Sequence, residues 1–225
     1  MNTADAFTRV LKARHSVRAY RPDPVPTALL QQVVALARLA PSGANLQPGT
    51  FISVQGEARR ALSADLVHAW RNQQQETEDY SYFPNPLPMA LKRRQIASAK
   101  ALYDALGIAR EDRKGRDGQF ERNFRFFDAP VALVVTIGHD LGSGCYMDLG
   151  MALHGLMLAA QAHGLSTCAI GAIASYPNLI RRHLSLDSNS KIVCGMALGY
   201  ADPEAPVNQT RTARTELGEY FKTVG

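Results

Sequence analysis

Residues 130–170 read PVALVVTIGHDLGSGCYMDLGMALHGLMLAAQAHGLSTCAI, and this stretch decides the fold. Pro130 to Ile137 is a near-continuous β-branched and apolar run, the pattern of a strand buried on both faces. From about Tyr146 to His163 the chain is apolar almost all round, so this helix is predicted to lie centrally. Ser166 to Ile170 follows as a second buried strand. Asp148, His154 and Gln161 interrupt the helix and leave it short of the roughly 18 uninterrupted apolar residues that a membrane span needs.

Downstream, a short helix around Pro177 to Leu184 precedes another buried strand, Lys191 to Leu198. After Tyr200 the chain becomes polar and Pro-rich, and residues 201–225 are predicted to form an extended arm. Upstream, Thr3 is predicted to cap a helix running to about Arg14, with Phe7, Val10 and Leu11 on one face. Pro22, Pro24 and Pro26 enforce an extended connection. A second helix, Thr27 to Ala40, turns Leu29, Leu30, Val33, Val34 and Ala37 inward and stops at Pro41. The loop 41–49 leads into a strand, Thr50 to Val54. Residues 70–125 are richer in Gln, Glu, Arg and Lys and too poor in apolar residues for a core of their own. They are predicted to be an insertion of one or two surface helices with a lid-like loop near 80–88. Helices in excess, with about four strands, give a mixed α+β class in a single domain, 1–225.

Composition narrows the function. Hydrophobic residues make up 46% and charged residues 20%, as in ordinary globular proteins. Lys and Arg total 25 against 20 Asp and Glu, a net charge of +5 without the concentrated patch of a nucleic-acid binder. The only dense basic run is Lys92-Arg93-Arg94. Cys145, Cys168 and Cys194 are odd in number and widely spaced, which suggests reduced thiols and no zinc site. An early acid and the lack of an apolar run in the first residues argue against a signal peptide, so a cytoplasmic protein is expected, with no nucleic-acid or membrane partner.

Gly142-Ser143-Gly144-Cys145-Tyr146-Met147 follows a strand and opens a helix, but Met147 replaces the third glycine of a dinucleotide turn. No P-loop or G-x-S-x-G elbow occurs, and His139, Cys145 and His154 lack ligand spacing, so no metal is expected. Arg14-His15-Ser16-Val17-Arg18 places two bidentate donors around a hydroxyl, which suits a phosphate dianion. Taken alone, a solvated basic turn explains these residues at least as well. A second basic pair, Arg211 and Arg214, lies in the arm and could converge on the same phosphate.

In combination the motifs are specific. Arg14-x-Ser16-x-Arg18 is followed by Ala40-Pro41-Ser42-Gly43-Ala44-Asn45-Leu46-Gln47-Pro48. Asp148-Leu149-Gly150-Met151-Ala152, then 164–171 (GLSTCAIG) and 195–203 (GMALGYADP), complete the series. This order resembles the FMN-dependent nitroreductase family, over nearly the whole chain apart from the insertion. Gly49 departs from it, because similar members usually carry an aromatic after Gln-Pro.

The resemblance implies a nitroreductase-like fold, a central mixed β-sheet flanked by helices, in an intertwined homodimer with FMN at the interface. It implies that Arg14, His15, Ser16, Arg18 and Arg211 hold the FMN phosphate and ribityl. Pro41, Ser42 and Asn45 would reach the flavin from the partner subunit. Ile170, Gly171 and Ala172 would follow the pyrimidine edge, with the Gly171 backbone near flavin N5, and Asn123 would reach the polar edge. No side chain is required as catalytic acid or base, since the cofactor carries the chemistry. Tyr82, Phe124 and Phe126 are candidates for an aromatic acceptor wall. The implied activity is reduction of a small nitroaromatic by NADH or NADPH through two-electron ping-pong hydride transfer. Reduction of enones, halogenated aromatics or flavin itself, or a flavin-binding redox sensor, are the alternatives.

Overall fold

The structure, a computed structural model, describes residues 2–225. Four strands form one sheet in the order β1-β2-β4-β3. They are β1 (Thr50–Gln55), β2 (Val131–Gly138), β3 (Ser166–Ile170) and β4 (Ser190–Gly199). The three ladders are antiparallel. The parallel component of the expected mixed sheet is the bridge between Ser16 and Thr167, which lays the Arg14–Arg18 segment along the outer edge of β3.

The helices are α1 (Thr3–Ala13), α2 (Thr27–Ala37), α3 (Gly56–Arg71), α4 (Met89–Ala105), α5 (Arg113–Glu121), α6 (Ser143–Ala162), α7 (Pro177–Leu184) and α8 (Leu217–Tyr220). Asn2, not Thr3, caps α1, its side-chain oxygen accepting from the Asp5 N–H at 2.8 Å. α2 ends at Ala37, before the predicted Ala40: the Leu39 and Ala40 N–H groups donate to the Leu36 and Ala37 carbonyls, a tightened last turn that Pro41 then stops. α3 is additional to the predicted elements; Leu62, Leu66 and Ala69 form its buried face.

Alternation along β2 explains its uniformly apolar sequence. Ala132 and Val134 face a core built with α3, α7 and the buried Phe124, Phe126 and Phe127. Val131 and Leu133 face the opposite core, built with α2 and α6. Helices thus cover both sheet faces, and both faces of β2 must be apolar. α6 is central on one side only: Leu149 and Leu156 are buried, yet Met147 is 69% exposed within one chain. Leu36, Leu39 and Leu46 are exposed as well. No helix among the described residues is long and apolar enough to cross a membrane.

Two local features position the site. Val135 pairs with Cys194 and Thr136 with Ile192, so Val193 is an extra residue, a β-bulge in β4. β3 pairs only with residues 195–199, which leaves the 190–194 edge of β4 without a strand neighbour. Residues 76–80, the root of the insertion, cover that edge. The second feature is Gly49, at φ +95°, where an added Cβ would lie 2.6 Å from Leu149 Cδ1 and 3.1 Å from the Thr136 carbonyl. That crowding and the left-handed backbone account for a glycine where an aromatic was expected.

Candidate functional site

Residues 16–20 run beside β3 because Val17 is buried and its N–H donates to the Thr167 carbonyl at 3.1 Å. The arm is joined to this segment by Asn208, a buried residue the sequence did not single out. Its Oδ1 accepts from the Arg18 and Ala19 N–H groups at 2.8 and 3.2 Å. Its Nδ2 donates to the Ala19 and Asp202 carbonyls, both at 2.8 Å. The two distant ends of the chain are thereby clasped, and the arginines they carry meet.

They meet around a groove of about 740 Å³ that Arg14, His15, Ser16, Arg18 and Arg211 line together. Lys12, Arg94 and Arg214 also face it, making six cations besides His15, and no described residue lining it is acidic. Burial, then the neighbouring Arg214 charge, pushes the Arg14 guanidinium below its ordinary value. A cation held near cations in this way is relieved by an anion. Arg211 is oriented by Nη1 donating to the Asn208 carbonyl at 2.9 Å. Behind the groove, burial raises the Cys168 thiol despite nearby Arg18 and the Ser16 hydroxyl.

One turn beyond the groove, β3 ends at Ile170, and Gly171 to Ser175 form a short 3-10 turn into α7. Ile170 is buried, whereas Gly171 is exposed and Ala172 half-buried. The ring of Tyr82 stands over Gly171; an added Cβ there would lie 3.7 Å from Tyr82 Cε2. Tyr82 contacts Phe83 edge-on at 4.7 Å between centroids, and Phe83 lines the arginine groove. The lid loop therefore connects the groove to Gly171.

The lid is fixed at its root. Tyr80 Oη donates to the Val193 carbonyl of the bulge at 2.7 Å, and the Ile192 N–H donates to Asp79 Oδ2 at 2.7 Å. Asp79 also accepts from Arg181 Nη1 at 2.6 Å, with both side chains largely buried. Glu76 caps α7, accepting from the Asn178 N–H at 2.6 Å, and the Ser175 hydroxyl donates to Glu78 at 2.7 Å. Glu76, Glu78 and Asp79 were not singled out from sequence; three acids within four residues, just before the aromatics of the lid, were the available signal.

Other candidates lie elsewhere. Phe126 is fully buried and packs with Ile173 against Gly195, so it belongs to the core and not to an acceptor wall. Phe124 is buried too, and lines a smaller cavity of about 280 Å³ with Trp70, Phe120, Ala172 and Tyr176. Asn123 uses its Nδ2 to donate to the Phe120 carbonyl at the end of α5 and does not line the groove. Pro41 and Ser42 line a separate cavity next to Asp148 and Ala152 on α6. Asn45 is exposed at φ +57° in the adjoining turn, which Asp148 holds by accepting from the Gly43 N–H at 3.1 Å. Within one chain, that loop is not brought to the arginines.

The nitroreductase family model matches residues 11–200. The chain is 38% identical over 217 residues to a 4-nitrobenzoate reductase of Pseudomonas putida, covering 96% of this chain and 94% of that one. It is 35% identical over 221 residues to a chloronitrobenzene nitroreductase of Comamonas testosteroni, covering 98% and 97%. A crystal structure of the FMN-dependent nitroreductase NfnB from Mycobacterium smegmatis in complex with NADPH superposes at a TM-score of 0.95, with 33% identity and both chains fully covered. The buried four-stranded sheet, the clasped basic groove and these matches together assign the chain to the nitroreductase family.

Proposed function

We propose that the protein is an FMN-dependent NAD(P)H oxidoreductase that reduces nitroaromatic compounds to hydroxylamines. The observation that carries this reading is the basic groove, whose lining has six cations and no acid and adjoins an exposed glycine under an aromatic lid. Those residues fit the cofactor: Arg14, Ser16, Arg18 and Arg211 offer charge-assisted donors to its phosphate and ribityl chain. Ile170, Gly171 and Ala172 border the ring, and Gly171 presents backbone without a side chain, so a flat ring fits over it at contact distance, as the Tyr82 ring does here. Bound FMN supplies two-electron hydride transfer from the nicotinamide to the acceptor in turn. Each nitro group takes a hydride and a proton and loses water to become nitroso; a second hydride and proton give the hydroxylamine.

The remaining work falls to this chain. Tyr82 is 61% exposed and covers the stacking position, so it limits acceptor size and sheds water from the reacting face. Protons come from solvent, since the chemistry at the cofactor requires no dedicated side-chain acid. The exposed Met147, Leu36, Leu39 and Leu46 form the face of a homodimer, across which Pro41, Ser42 and Asn45 complete the partner's flavin site. Residues 1–225 act as one unit, with 70–125 as lid and 201–225 as clasp. The thiols, all free, suit a reducing cytoplasm.

The purified protein should be yellow and should oxidise NAD(P)H when a nitroarene such as 4-nitrobenzoate is added. Double-reciprocal plots at several acceptor concentrations should be parallel, because nicotinamide and nitroarene use one stacking position in turn. Arg18→Ala should weaken FMN retention about 10- to 150-fold, the loss of one charge-assisted contact. A colourless protein, intersecting plots, or full FMN affinity in Arg18→Ala would overturn the assignment.

A further inference from the structure

The groove carries more positive charge than one cofactor phosphate uses. A phosphate monoester holds about −2 at pH 7, against six lining cations and no acid. Arg14, Arg18 and Arg211 belong to the two clasped segments. Arg94 comes from elsewhere, from α4 of the insertion, and is the member of the Lys92-Arg93-Arg94 run that faces the groove. Leu91, Arg94, Gln95, Ser98 and Leu102 all line it, the spacing of a single helix face. This face therefore sets one guanidinium, one amide and one hydroxyl opposite the phosphate-binding arginines. The nearest carboxylate to Arg94 is Glu219 at 3.8 Å, with both side chains mostly exposed, an ion pair worth little and readily exchanged for an anion.

We propose that this α4 face selects NADPH over NADH, with Arg94 receiving the ribose 2′-phosphate and Gln95 and Ser98 supporting it. The inference deepens the reading of the groove as the flavin and nicotinamide site and rests on it. NADPH differs from NADH by one phosphate dianion, so surplus positive charge beside the cofactor phosphate is what separates them. Arginine's planar fork engages such a group bidentately, and an arginine is how dinucleotide sites commonly accommodate a 2′-phosphate. Phe83, which lines the groove and contacts Tyr82 over Gly171, places the α4 face along a path from the stacking position.

The test uses the holoenzyme and Arg94→Gln, with Arg94→Glu as a charge-reversed check. kcat/KM is measured for NADPH and for NADH with 4-nitrobenzoate, alongside FMN content. Calorimetry then measures binding of adenosine 2′,5′-bisphosphate and of adenosine 5′-monophosphate to each holoenzyme. The wild type should prefer NADPH and bind the bisphosphate more tightly. Arg94→Gln should lower kcat/KM for NADPH and bisphosphate affinity about 10-fold, the lower end for one charged contact because Arg94 is exposed. NADH turnover, monophosphate binding and FMN content should stay within twofold, and Arg94→Glu should deepen the same selective loss. A wild type that prefers NADH, or equal losses for both coenzymes, would overturn the proposal. So would loss of FMN in Arg94→Gln, which would place Arg94 on the cofactor phosphate. A wild type lacking FMN or oxidising neither coenzyme would instead show that the underlying reading of the groove has failed.

Discussion

Asn208 is the point where fold and site can be perturbed together. Replacing it with alanine removes Oδ1, the acceptor for the Arg18 and Ala19 N–H groups, and Nδ2, the donor to the Ala19 and Asp202 carbonyls. The Ala19 carbonyl keeps a second donor, the Asp202 N–H at 3.1 Å. The main cost is therefore the two orphaned N–H groups, each about 1–3 kcal/mol if kept from water. Arg18 and Ala19 are half-buried, so water partly replaces the lost acceptor and the sum falls near 2 kcal/mol at the low end of that range. For a chain of this length that lowers the melting midpoint by about 4–8 °C. The arm should loosen first, carrying Arg211 away and lowering FMN affinity beyond what global stability explains. Asn208→Asp separates loss of the donor from loss of the acceptor. Its carboxylate still accepts from both N–H groups, so protection at Arg18 and Ala19 should persist. Its second oxygen, however, faces the Ala19 and Asp202 carbonyls that Nδ2 served and its charge is buried, so the midpoint should still fall and FMN binding should weaken. Scanning calorimetry, FMN titration and amide hydrogen exchange at 18–19 measure these quantities. An Asn208→Ala protein with the parent midpoint and parent protection at Arg18 and Ala19 would refute the clasp.

Three further outcomes follow from the packing. In Gly195→Ala the new Cβ would sit 2.7 Å from Ile173 Cγ1 and 2.8 Å from Phe126 Cε1; overpacking should cost about 1–3 kcal/mol, and denaturation should show Ile173→Val restoring part of it. Met147→Asp, on a face exposed in the single chain, should leave the fold intact and produce monomer by light scattering, with FMN lost; Leu156→Asp would not discriminate, because Leu156 is wholly buried within one chain. Burial raises the Cys194 thiol to about 12 from an ordinary value near 9. The folded state then retains a proton that the unfolded chain gives up, so stability is present below pH 9 and is lost as pH climbs toward 12. Urea melts across that window should show the decline, reduced in Cys194→Ala, and thiol labelling at pH 8 should modify Cys145 well before the buried pair.

The strands and most helices were legible because their signals are local. The uniformly apolar run at 131–137 can be satisfied only by cover on both faces, and Ser166 to Ile170 and Pro177 to Leu184 were bounded as the structure has them. α3 was less visible, since Arg59, Arg60, Asp65 and His68 dilute an apolar face of only a few residues. Phe124 and Phe126 were misread for a related reason. An aromatic run beside an insertion looks the same whether it faces solvent or core, and Phe124, Phe126 and Phe127 are all buried in the core against α3 and α7.

The sequence by itself determined the class of fold, the two basic segments and the chemistry that paired arginines around a hydroxyl can offer. Residue type and spacing carry that information without reference to anything distant. Only the tertiary structure decided that Arg14 and Arg18 share a groove with Arg211, and that Arg94 joins them from the insertion. That meeting depends on Asn208 bridging segments 190 residues apart and on Asp79 and Tyr80 meeting the open edge of a bulged strand. Neither contact leaves a periodicity in the chain, because each is made between residues that are neighbours only after the sheet has formed.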